Sequence, residues 1–166
     1  MFRKYLYGFI ILLLSTPVFA VANPMPQEIL HFKTMYAVDG AFLTPDGATV
    51  PNVRDVVGDY QAWKINKFIK GHLFSDGRLI VKVRGLVFPN APNDEYYFRA
   101  LVSCLTNNNG FIATQNVISD SVWTNPAGNA DFNQQLQLPS PCVAPVVMIL
   151  NGDSTEGNVW FAISGF

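Results

Sequence analysis

The chain contains two histidines, His31 and His72, and two cysteines, Cys104 and Cys142, which limits the chemistry it can support. A serine hydrolase needs a nucleophile, a histidine and an orienting acid, with the serine commonly exposed on a sharp turn. No GxSxG string is present, and each histidine falls in a strand-like stretch, His72 directly after Gly71. Strand-surface roles therefore suffice for both. The cysteines stand 38 positions apart, too far for a CxxC redox pair, and a zinc site built on them would have to recruit the two histidines. On these grounds we assign no catalytic residue, no metal ligand and no cofactor.

Carboxylates offer two further chemistries. Glycoside hydrolysis requires two carboxyl groups facing each other across a cleft, and calcium binding requires a clustered oxygen set. Asp39, Asp46, Asp55, Asp59, Asp94 and Glu95 are available, but all fall in apparent loops or turns, and no DxDxDG series occurs. Turn formation accounts for them. Among the aromatics, Trp160 and Phe161 are adjacent in an apolar terminal strand, so they point to opposite faces and one of them is expected in the core. Trp63 follows a long loop and Trp123 lies near a turn. Both are read as partly exposed, which makes them the candidate ligand-binding residues. Lys82, Arg84 and Arg99 are expected on the outer faces of neighbouring strands, as a small cationic stripe able to receive an anion.

The elements that would position these groups follow a leader. Residues 1–22, MFRKYLYGFIILLLSTPVFAVA, combine two early cations, a short apolar run and small residues, the layout of a secretory signal peptide. The exported product is expected to begin at Val21 or Asn23, leaving a single domain over residues 23–166, secreted or periplasmic, with no membrane span. Without Arg3 and Lys4 the balance is 9 basic against 12 acidic residues, about −3. Such a balance speaks against nucleic acid as a partner. Export also favours a Cys104–Cys142 disulfide, whose loop closure contributes roughly 4 kcal/mol in the chain-entropy model.

With 49% hydrophobic and only 14% charged residues, the chain can fill a core, and its apolar pattern from residue 60 onward has period two. Leu79 to Val87 places Leu79, Val81, Val83 and Val87 on one face. Tyr96 to Cys104 turns Tyr96, Phe98, Ala100, Val102 and Cys104 inward, and Ala130 to Leu138 does the same with Ala130, Phe132, Leu136 and Leu138, only Gln134 breaking the set. Val143 to Leu150 is almost continuously apolar, as in a central strand covered on both sides. Further strands are expected at Ile29 to Val38, Ala62 to Phe68, Gly71 to Phe74, Phe111 to Ser119 and Val159 to Ser164. Turn clusters such as Ser75-Asp76-Gly77 and Asn107-Asn108-Asn109-Gly110 separate them. The fold class is all-β, an antiparallel β-sandwich of eight or nine short strands with one disulfide. Asp39 to Asp59 reads as an ordered loop with one helical turn, pinned to the core by Val50, Val53, Val56 and Val57.

Five blocks in order, TMYAVDG at 34–40, RGLVF at 84–88, NDEYYFRALVSCLT at 93–106, LPSPCVAPVV at 138–147 and WFAISG at 160–165, resemble an uncharacterised family of exported bacterial β proteins. The resemblance implies a bacterial source and a compact extracytoplasmic β domain, and transfers no functional residue. The function expected from the sequence is a binding or interaction module for a carbohydrate or protein partner. The alternative is a small secreted hydrolase acting on polysaccharide or cell-envelope material. Exposed tryptophans on one surface favour the first; facing carboxylates, or a serine near either histidine, favour the second.

Overall fold

Alternating apolar and polar residues become paired strands in the computed structural model, which describes residues 25–40, 52–89, 97–152 and 158–165. Residues 1–24, which include the expected signal peptide, residues 41–51 of the long loop and the acids Asp46, Asp94 and Glu95 lie outside the described residues. The strands are β1 (Glu28–Phe32), β2 (Met35–Ala37), β3 (Asn52–Val53), β4 (Val56–Gly58), β5 (Lys64–Phe74), β6 (Arg78–Val87), β7 (Tyr97–Asn108), β8 (Phe111–Ile118), β9 (Val122–Trp123), β10 (Ala130–Gln135), β11 (Val143–Asn151) and β12 (Val159–Ser164). Among the described residues there is no helix, hence none long and apolar enough to cross a membrane.

Two sheets form. The smaller has the order β1-β5-β6-β10; the larger follows β3-β4-β12-β11-β7-β8, with β2 added to β12 and β9 to β7. Every pairing is antiparallel except that of β4 with β12. The fold is thus all-β and sandwich-like, with twelve strands where eight or nine were expected. Ile29 to Val38 divides at Lys33 and Thr34, β1 joining one sheet and β2 the other, while the two stretches expected on either side of Ile69 fuse into β5. The two- and three-residue strands β3, β4 and β9 are too short for a period to be read.

Between the sheets lies the main core, where Leu73, Leu79, Val81, Val83 and Phe132 meet Phe98, Val102, Val147, Ile149 and Phe161. A second core covers the far side of the larger sheet, joining Leu101, Val146, Met148, Leu150 and Trp160 to Val38 and Val56. β11 is therefore buried on both faces, as its unbroken apolar run requires. Trp160 and Phe161 do point oppositely, and each finds a core. The described end of the long loop forms the β3–β4 hairpin, which roofs the second core and whose turn residues Arg54 and Asp55 adopt φ of 55° and 64°, the mirror-image geometry of tight hairpins. Val53 and Val56 pin it, Val57 is exposed, and Val50 lies outside the described residues.

One parity expectation fails. Leu86, rather than Val87, enters the core, because the register slips between Ile65 and Phe68 and Gly85 takes φ of 81° opposite them. A side chain there would meet Asn66 Cβ at 3.0 Å. Gln134, the polar residue on an inward face, is also explained: its amide accepts from Asp120 N at 2.9 Å and donates to Asp120 O at 3.3 Å. The Cys104–Cys142 disulfide is present, with Cα atoms 4.9 Å apart, and links β7 to the approach of its neighbour β11.

Candidate functional site

The outward face of the smaller sheet gathers the ionisable side chains. On β5, Ile69, Gly71 and Leu73 are buried, which turns Phe68, Lys70, His72 and Phe74 out. On β6, Leu79, Val81 and Val83 go in, and Arg78, Ile80, Lys82 and Arg84 go out. Six of the chain's 11 lysines and arginines lie in these two strands, and neither strand contains a carboxylate.

The antiparallel register sets Phe68 opposite Arg84, Lys70 opposite Lys82 and His72 opposite Ile80. Like charges directly across a strand pair repel, so the Lys70–Lys82 juxtaposition works against the sheet. Asp131 on β10 stands opposite Lys82, yet both its oxygens accept hydrogen bonds from Arg84 Nη2, at 2.8 and 2.9 Å. Two cations rest on aromatic rings instead: Lys70 Nζ lies 5.0 Å from the Phe68 centroid, and the Arg78 guanidinium carbon 3.9 Å from that of Phe74. The result is a face of cationic groups, two of them laid over phenyl rings.

At the β1 edge of this face, His31 pairs directly with His72 in the register, and their rings stack with centroids 4.5 Å apart. Glu28 joins them. In a regular strand, residues three apart point to opposite faces, but the register slips between Glu28 and Leu30, bringing Glu28 onto the side of His31. Glu28 Oε1 lies 3.5 Å from His31 Nδ1 and 3.3 Å from His72 Nδ1. β1 can approach this closely because Gly71 has no side chain; a Cβ there would fall 2.7 Å from Phe32 Cζ and 2.6 Å from Ile80 O.

The residues singled out from sequence fare differently. Trp123 is 59% exposed and stands opposite Tyr97, also exposed, across the β7–β9 pair. Trp63 is a correction: only 1% exposed, it stacks on Phe161 at 3.9 Å between centroids and donates its Nε1–H to Asp59 Oδ2 at 2.6 Å. The backbone bond from Trp63 N to Val38 O, at 2.7 Å, draws this residue under β2 instead of leaving it on the loop. The two tryptophans share no surface. Arg99 leaves the expected cationic stripe altogether, because β7 belongs to the larger sheet, where the side chain is buried and bonds Asn151 O at 2.9 Å and Asn158 Oδ1 at 3.0 Å. Asp59 serves Trp63 and Gln61 N, Asp39 caps Gly40 N, and Asp55 occupies the hairpin turn.

Sequence reasoning missed Lys70, Arg78 and Glu28. The lysine and arginine were legible only once β5 and β6 were known to be neighbours, and Glu28 was hidden by a bulge that a period-two pattern cannot show. Comparison of the chain with protein-family models, with curated proteins and with solved structures finds no match.

Proposed function

We propose that this protein is an exported binding module that holds an acidic polysaccharide against the outward face of its β1-β5-β6-β10 sheet. One observation carries the reading: Lys70 and Lys82 face each other across the strands and, among the described residues, no carboxylate is paired with either, since Asp131 is taken by Arg84. An array that costs the free sheet some stability is repaid when carboxylate or sulfate groups of a ligand lie between the ammonium groups. Arg78, flattened on Phe74, adds a planar fork already held in place. Phe68, Lys70 and Lys82 are exposed along adjacent strands, an extended row that suits a chain-like ligand better than a small molecule, whose sites are concave. Export is supported by the leader-like residues 1–22 and is compatible with the disulfide.

Affinity electrophoresis in gels containing an acidic polymer such as alginate, beside gels containing a neutral glucan, tests this. Retardation by the acidic polymer alone, weakened by salt and abolished in Lys70→Glu/Lys82→Glu, is expected. Equal retardation of that variant, or retardation by the neutral glucan only, overturns the reading.

A further inference from the structure

We infer that Glu28, His31 and His72 form a binding site for a divalent transition metal, with Zn²⁺ the best fit. The inference is independent of any polysaccharide on the neighbouring face. Two imidazoles and one carboxylate are a donor set that zinc accepts, leaving a fourth position open to water or to a ligand oxygen.

Geometry supports the assignment. Donors on a tetrahedral zinc, with bonds of about 2.0 to 2.1 Å, stand roughly 3.3 Å apart. The two histidine–glutamate separations, 3.5 and 3.3 Å, already have this length. All three donor atoms lie within 4.8 Å of one another, so the remaining closure is side-chain rotation. No other such group of three occurs among the described residues. Each position is fixed by a distinct backbone device: the bulge that turns Glu28 toward His31, the direct β1–β5 register that opposes His31 and His72, and the side-chain-free Gly71 that lets β1 close on β5. A bulge that re-aims one side chain onto the face of another is a feature concentrated at functional sites.

Two of the neighbouring cations are held off the site. Lys70, two residues before His72, directs its ammonium to Phe68, on the side away from the histidine. Arg78 lies over Phe74, and β5 carries that ring between β6 and Glu28 on β1. Without metal, the histidine Nδ1 atoms share one glutamate oxygen. On binding, both Nδ1 atoms turn their lone pairs to the ion, and each neutral ring carries its proton on Nε2, at the exposed edge.

Isothermal titration of the tag-free, chelator-treated protein with Zn²⁺ tests the site, with Co²⁺ as a spectroscopic probe. One saturable equivalent of Zn²⁺, and visible Co²⁺ bands of four- or five-coordinate intensity, are expected. His31→Ala and His72→Ala should each weaken binding by roughly tenfold or more, and Glu28→Gln should weaken it less. If His72→Ala disturbs β5, His31→Asn and Glu28→Gln on the outermost strand carry the test, with far-ultraviolet circular dichroism confirming the fold. Absence of a saturable equivalent, or Zn²⁺ binding undiminished in the His31→Ala/His72→Ala variant, overturns the inference.

Discussion

Both sheets have one side turned away from the core they share, and they use those sides in opposite ways. The larger sheet roofs its outer side with Val38 and the β3–β4 hairpin, so that Leu101, Met148, Leu150 and Trp160 become a second core. The smaller sheet leaves its outer side open and fills it with lysine, arginine, histidine and phenylalanine. Burial on both faces gives the larger sheet the apolar contact that stability needs. The smaller sheet, stabilised from one side only, carries an arrangement, Lys70 beside Lys82, that works against the fold. Structure is concentrated in one sheet and chemistry in the other.

Removing a tryptophan from either core should break this division most severely. Trp160→Ala, in the second core, and Trp63→Ala, in the first, should each cost about 3 to 5 kcal/mol. Trp63→Ala additionally strips Asp59 of its indole partner. Trp123→Ala, on an exposed side chain, should stay within about 0.5 kcal/mol. Urea denaturation of the three variants gives the ordering, and a Trp63→Ala variant as mild as Trp123→Ala would contradict the burial described here.

A sharper test uses neighbours on β11. Met148 faces the second core and Ile149 the first. Each truncated to alanine should lose about 2 to 5 kcal/mol if both cores are closed. Were Met148→Ala nearly neutral by the same denaturation, the hairpin roof would be a loose cover rather than a packed layer, and the contrast between the sheets would shrink.

The smallest effect carries the opposite sign. Lys82→Gln removes one member of the opposed pair on an exposed face, so thermal unfolding should show a gain of a few tenths of a kcal/mol, within the range of about 0.2 to 1 kcal/mol for cross-strand pairs. A clear loss would mean that Lys82 is neutralised in the free protein.

How much of this was legible in the sequence depends on where the information resides. Strands of eight residues or more announce themselves by period two, and the two-sided burial of β11 is written in its unbroken apolar run. The disulfide follows from cysteine number and the inward parity of Cys104. Register, by contrast, is a relation between strands, and no single-strand pattern contains it. The opposition of Lys70 to Lys82 and of His31 to His72 became visible only through pairing, and Glu28 only through a bulge. Trp63 misled for a related reason: its neighbours in sequence are loop residues, whereas its neighbours in space are Phe88, Phe98 and Phe161.

Six of the chain's 11 lysines and arginines stand in β5 and β6, although the chain as a whole carries a formal charge of −1, so much of its positive charge is gathered in one sheet. A formal net charge of −1 says little about approach, because at separations near the Debye length, about 8 Å at physiological ionic strength, an approaching polyanion senses the nearest face instead. Rotational diffusion is then biased: encounters that present β5 and β6 are prolonged and the others are rejected. An anionic surface would therefore meet this sheet before the rest of the molecule, the orientation that the proposed polysaccharide binding requires.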